Sequence, residues 1–150
     1  MVKNSVVHRV TKILVDVMFY GGIVICIALP FLLPHGMRLI GHGAHMYWPN
    51  LVVLMLSGVL SLYIVYQLKV IFKTLVGGNP FVARNVSCLR RAAVASALIS
   101  IVFVVRISIW FTISSTVIAL IFALLALFSL TLKDLFKQAV AYKEENDWTV

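Results

Sequence analysis

Four long apolar stretches divide the chain, and short polar segments separate them. The apolar stretches cover residues 13–33, 51–76, 92–110 and 116–132. A transmembrane helix needs about 17 to 25 mostly apolar residues, so each stretch is long enough to cross a bilayer. The pattern therefore predicts an all-α fold, in which residues 1–150 form a single integral membrane domain built as a bundle of four transmembrane helices.

Two of the polar segments have a helical pattern of their own. In residues 77–91, Asn79 followed by Pro80 is typical of a helix start, and apolar residues then recur at helical spacing. We expect a short amphipathic helix here that lies on the inner membrane surface and leads into the third span. Because no helix-breaking residue follows the fourth span, its helix is expected to extend into the cytoplasmic tail, residues 133–150.

The basic residues predict how the spans are oriented. Eleven of the thirteen Lys and Arg residues precede the first span, lie between the inner end of the second span and the start of the third, or follow the fourth, and only Arg38 and Arg106 lie on the other side. By the positive-inside rule, both termini are expected in the cytoplasm. The resulting net positive surface would attract anionic inner-leaflet lipids.

The composition excludes several classes of function. At 62% hydrophobic and 12% charged residues, with a mean hydropathy of +1.04, the chain differs from soluble domains, which have about 25% charged residues. The net charge of +8 is accounted for by topology, so we expect no direct binding of nucleic acid. Neither a phosphate loop nor a dinucleotide-binding motif nor a zinc-protease motif occurs, so neither an enzyme nor a cofactor is expected.

Asp16 and Arg106 are the two intramembrane charges that need an explanation, since Lys69 and Lys73 lie near the inner end of the second span. Asp16 lies about one turn from the inner end of the first span, four residues after Lys12, which favours a structural ion pair or a snorkelling acid over a proton relay. Arg106 lies about 21 Å from the inner end of the third span, too far from Asp16 for a direct pair. Its default role is to snorkel to the outer headgroups beside Trp110, and an anion or lipid site is the alternative.

The outer loop, residues 34–50, contains His35, His42 and His45. Clustered histidines can bind zinc or copper. This loop contains no cysteine or carboxylate to complete the coordination. We therefore interpret it as a solvated loop, with His42 and His45 as weak candidates for a metal site.

Two segments on the inner side carry a family resemblance. One contains Gly78-Asn79-Pro80-Phe81, followed by Asn85 and Leu89-Arg90, and the other comprises residues 135–139 and 142–150. Together they resemble the YoaS-like family, small bacterial four-span membrane proteins with a domain of unknown function. Trp148 stands where that family more usually has Leu. Family members are often encoded beside a small helix-turn-helix regulator of the Cro/CI type, which implies a membrane protein that binds or sequesters such a regulator.

Three functions follow as hypotheses. The first is a non-enzymatic interaction or regulatory protein that contacts a transcription regulator at the cytoplasmic face. The second is a membrane immunity or stress-sensing protein that binds a peptide or lipid through its outer loop, and the weakest is a small channel or transporter subunit. A homo-oligomer is compatible with each. The candidate partner-binding residues of the first hypothesis are Asn79, Pro80, Phe81, Asn85, Arg90, Phe136, Tyr142, Glu144, Glu145, Asn146, Asp147 and Trp148.

Overall fold

The computed structural model describes residues 6–40 and 44–148, with side chains for residues 9–39 and 45–148. Within these ranges the chain is almost entirely α-helical and contains no strand, which confirms the predicted fold class. A 3-10 turn, Ala44–Met46, precedes the second helix. The helices are α1 (Val6–Ile40), α2 (Tyr47–Val76), α3 (Ala83–Ile109) and α4 (Ile113–Trp148).

Each helix contains a segment long and apolar enough to cross a membrane. Even α3, with 27 residues, spans about 40 Å, which exceeds the hydrocarbon thickness of about 30 Å. Many large apolar side chains point outward, for example Phe31 and Leu124, which are 74% and 67% exposed. Because such surfaces are stable in lipid and not in water, the four helices fit a multi-pass membrane protein.

The helices pack in chain order: α1 on α2, α2 on α3, and α3 most extensively on α4. Buried small residues on α3, such as Ala92, Ala95 and Ser96, let the neighbouring helices approach closely. One result is that the Ser100 hydroxyl donates a hydrogen bond to the Ala119 carbonyl of α4 at 2.9 Å. The central cluster joins three helices and consists of Ile64, Ala92, Ala95, Ile99, Phe103 and Ala119.

Helix α1 continues past the point where the sequence pattern predicts its end. Pro30 and Pro34 both lie inside α1, which runs on to Ile40. Pro34 has no N–H to donate to the carbonyl of Pro30, four residues earlier. The Tyr47 hydroxyl, from the start of α2, donates to that carbonyl at 3.2 Å. A tertiary contact thus satisfies the group that the proline leaves unpaired, and the helix is not interrupted.

The short helix expected before the third span is instead the first part of α3. This helix begins at Ala83 and is continuous to Ile109, so the connection from α2 is only residues 77–82. The predicted capping role of Asn79 is wrong, because the N-cap is Val82 and no side chain caps it. The segment is not a surface helix either, since Asn85 is fully buried. The predicted extension of the fourth helix is confirmed, because α4 is one helix to Trp148.

Substitution of Gly58 tests the α1–α2 contact. A Cβ atom at Gly58 would lie 2.8 Å from Cys26 Sγ of α1, whereas one at Gly21 meets no atom within 4 Å. Gly58→Val should therefore lower the free energy of unfolding by about 1–3 kcal/mol relative to Gly21→Val, which has the same effect on helix propensity. Unfolding in detergent, followed by circular dichroism, measures the difference. Equal stability of the two variants would contradict this close packing.

Candidate interaction surface at the basic end

Most charges gather at one end of the bundle, which we call the basic end. It is the end where α1 and α3 begin and where α2 and α4 leave the apolar core. Among the described residues, Arg38 and Arg106 are the Lys or Arg residues at the opposite end, near the ends of α1 and α3. The described cations of the basic end are Arg9, Lys12, Lys69, Lys73, Arg84, Arg90, Arg91, Lys133, Lys137 and Lys143.

Asp16 forms an ion pair that joins α1 to α2. Lys69 Nζ lies 2.8 Å from Asp16 Oδ1, and the same ammonium lies over the rings of Phe19 and Tyr20, at 5.3 and 5.0 Å from their centroids. The contact is an ion pair at hydrogen-bond distance, although its geometry at Oδ1 is not that of a well-aligned hydrogen bond. The predicted ion pair is confirmed, and the partner of Asp16 is Lys69 of the neighbouring helix. Asp16 thus holds two helices together.

Asn85 fixes the connection between α2 and α3. Its Nδ2 donates to Thr74 Oγ1 at 2.7 Å and to the Pro80 carbonyl at 2.6 Å. The Thr74 hydroxyl in turn lies 2.7 Å from the Ile71 carbonyl of α2. Since Asn85 is fully buried, it cannot contact a partner, and its predicted place on the interaction surface is corrected to a structural role. The hydrogen bonds set the path of residues 77–82.

The same connection holds the extension of α4 through two contacts, which we call the clasp. Lys143 Nζ donates to Asn79 Oδ1 at 2.6 Å, and the rings of Phe81 and Phe136 lie 5.5 Å apart between centroids. The structure therefore brings together the two segments that carry the family resemblance. Asn79, Phe81 and Phe136 make these internal contacts, and the Pro80 carbonyl accepts the bond from Asn85.

The last turns of α4 expose acidic and aromatic side chains. Tyr142 is 70% exposed and Trp148 is 89% exposed, and Glu144 and Asp147 are exposed between them. We call these four residues the acidic tail surface. Glu145 and Asn146 are exposed on the same turns. Carboxylates beside large aromatic rings suit the binding of a cationic protein surface, because aromatic residues supply contact area and carboxylates supply charge.

Two other groups of sequence candidates lie elsewhere. Arg90 is exposed on α3, beside a cavity of about 400 Å³ between α2 and α3, away from the clasp. His45 is exposed on the 3-10 turn at the opposite end, and His42 lies outside the described residues. Across residues 6–40 and 44–148, no three potential ligands come together as a metal site would require.

Removal of Asn85 tests its structural role. Asn85→Ala removes the Nδ2 donor to Thr74 Oγ1 and to the Pro80 carbonyl, which keeps only its bond from the Val82 N–H, so the free energy of unfolding should fall by about 1–3 kcal/mol. Ser87→Ala, at an exposed position of the same helix, is the control and should change it by less than about 0.5 kcal/mol. Unfolding in detergent measures both, and equal effects would show that the Asn85 bonds contribute little.

Comparison with known proteins assigns a family to most of the chain. Residues 38–150 match the family described as "Protein of unknown function (DUF2975)". This range contains all of α2, α3 and α4, including the clasp and the acidic tail surface, and nearly all of α1 precedes it. Neither the curated proteins nor the solved structures gave a significant match. Because the matched range covers well over half of the chain, the protein belongs to the DUF2975 family.

Proposed function

We propose that this protein is a bacterial inner-membrane protein without enzymatic activity that binds a small helix-turn-helix regulator at its cytoplasmic face. The observation that carries the proposal is the acidic tail surface, Tyr142, Glu144, Asp147 and Trp148, exposed on a helix that leaves the bundle. The resemblance to the YoaS-like family, a finer assignment than DUF2975, supports a transcription regulator as the partner.

Charge supports a DNA-binding protein as the partner. A surface that binds DNA is positively charged, and negative side chains on another protein can occupy it. Glu144 and Asp147 supply such charge in the last turns of α4. A regulator bound there would be kept from its operator, because the same cationic surface would serve both contacts. Release from the membrane protein would then permit DNA binding.

The geometry of α4 supports a cytoplasmic position for this surface. Its 36 residues extend about 54 Å, whereas the hydrocarbon core takes up only about 30 Å of helix. The remaining turns therefore project from the membrane as a continuous helix. The clasp, Asn79–Lys143 and Phe81–Phe136, holds these turns against the α2–α3 connection. A surface that is already ordered loses less entropy on binding.

Neutralising the acidic tail surface should weaken capture of the regulator. We expect the double variant Glu144→Gln, Asp147→Asn to retain about fivefold less of a helix-turn-helix regulator encoded beside this gene, when the two are co-purified in detergent. Raising the salt concentration should reduce capture by the unaltered protein, because the attraction is between charges. Trp148→Ala should also weaken capture of the regulator, and the size of this loss should depend less on the salt concentration.

Two controls decide whether the tail is responsible. Asp134→Asn removes an exposed carboxylate that lies earlier on α4 and pairs with Lys133, so it should leave capture unchanged. A chain that ends at Ala141 lacks the whole acidic tail surface and should lose capture of the regulator. Equal recovery of the regulator by the full chain and the shortened chain would refute the proposal.

The proposed orientation has a separate test. In a chain with Cys26 and Cys88 replaced by Ala, Ser114→Cys places a thiol at an exposed position in the first turn of α4, and Lys137→Cys places one on the α4 extension. In intact cells, a membrane-impermeant maleimide should label the first variant only, and both should react after lysis. Labelling of Lys137→Cys in intact cells would show that the α4 extension lies outside the cytoplasm, which would contradict the proposed orientation.

A further inference from the structure

Arg106 is a charged residue of a membrane-spanning helix, and no residue in the described part of the chain neutralises it. It lies near the end of α3 opposite the basic end, and its side chain is partly buried. Its guanidinium makes neither a hydrogen bond nor an ion pair with any residue in the described part of the chain. An unpaired cation within a span is costly, so Arg106 requires an anion or water.

No carboxylate side chain of the protein lies near enough to supply that anion. Asp16 is at the basic end, paired with Lys69 of α2. From Lys69 to Asn50, which lies beside Arg106, α2 rises about 28 Å. The other four acidic residues follow the apolar part of α4, also at the basic end: Asp134, Glu144, Glu145 and Asp147. The counter-ion must therefore come from outside the chain.

Two cavities meet at Arg106. One, of about 480 Å³, lies between α2 and α3 and has an apolar wall that includes Val53, Leu56 and Val105. The other, of about 590 Å³, has walls from all four helices. Three residues line both cavities, and all three are polar: Asn50, Arg106 and Thr112. The polar groups thus sit where two largely apolar spaces join.

We propose that this junction binds an anionic phospholipid from the leaflet at this end of the bundle. The phosphate would accept hydrogen bonds from the Arg106 guanidinium and the Asn50 amide, and the two acyl chains would occupy the two cavities. The Thr112 hydroxyl lies 2.6 Å from Ser115 Oγ, and it can also donate to the phosphate when it accepts its bond from Ser115. Arginine suits this role because its planar fork of donors matches a phosphate group. Charge and the paired apolar cavities together favour a two-chain anionic lipid over a protein partner.

The shape of the first cavity distinguishes a lipid from a soluble phosphate. Along α2, its wall runs from Asn50 to Leu56, which is about 9 Å deeper in the span. Along α3, the wall runs from Trp110 to Ile101. A small anion would fill only the polar junction and leave this apolar depth empty. An acyl chain would cover it and remove its surface from contact with water or detergent.

Lipid titration of the purified full chain, read by native mass spectrometry, tests the site. We expect phosphatidylglycerol to bind more tightly than phosphatidylcholine, because the second has no net negative charge. Arg106→Gln should weaken phosphatidylglycerol binding about tenfold or more, since a charge-assisted hydrogen bond is lost in a partly buried site. Arg38→Gln removes an exposed cation from the same end and should weaken it less than about fivefold.

A second variant separates the cavity from the charge. Val105→Trp fills the α2–α3 cavity from an exposed position and keeps Arg106, so it should also weaken phosphatidylglycerol binding. Glycerol phosphate, which has the headgroup charge but no chains, should not displace the lipid at equal concentration. The proposal fails if Arg106→Gln and Arg38→Gln have equal effects, if Val105→Trp binds normally, or if glycerol phosphate displaces the lipid. Each outcome is independent of regulator capture at the basic end.

Discussion

The absence of water in the membrane interior is the constraint on which this structure depends. Every backbone group within the spans needs a partner from the protein, and a continuous helix supplies one for nearly all of them. Where the chain breaks that rule, side chains compensate: Tyr47 donates to the Pro30 carbonyl that Pro34 leaves unpaired. Buried Ser96 donates to the Ala92 carbonyl of its own helix and so hides its hydroxyl. The backbone of a helix can thus accept a polar side chain of the same helix within a span.

The same constraint separates the charges into two unequal groups. The basic end holds all five acidic residues together with most of the cations, so ion pairs such as Asp16–Lys69 can form there. The opposite end holds Arg38 and Arg106 and no acidic residue. Charge can therefore be balanced within the protein at one end, whereas at the other it must be balanced by the surroundings. This asymmetry connects the two proposals, one for a protein partner and one for a lipid.

Much of the fold is predictable from the sequence, because the spans are set by hydropathy and the extension of α4 by helical periodicity that no Gly or Pro interrupts. What local pattern could not show depends on contacts between helices. Pro34 predicts a helix end unless Tyr47 is known to lie beside Pro30. The sequence alone suggests that Asn85 is an exposed polar residue, because its hydrogen bond to Thr74 joins two different helices. The adjacent Arg90 and Arg91 suggest a boundary before the third span, although α3 runs through both. Of the candidate surface, the exposed tail was predictable, whereas the internal clasp was not.

Because α4 is one unbroken helix, it connects the bilayer directly to the proposed partner surface. A helix of about 54 Å behaves as a nearly rigid rod, so a tilt of about 10° about its first residue, Ile113, displaces its last residue, Trp148, by about 9 Å. Such tilts lie within the range that transmembrane helices adopt as bilayer thickness varies. The clasp links that displacement to the α2–α3 connection. A change in membrane thickness that tilts α4 would therefore move Trp148 relative to the membrane surface.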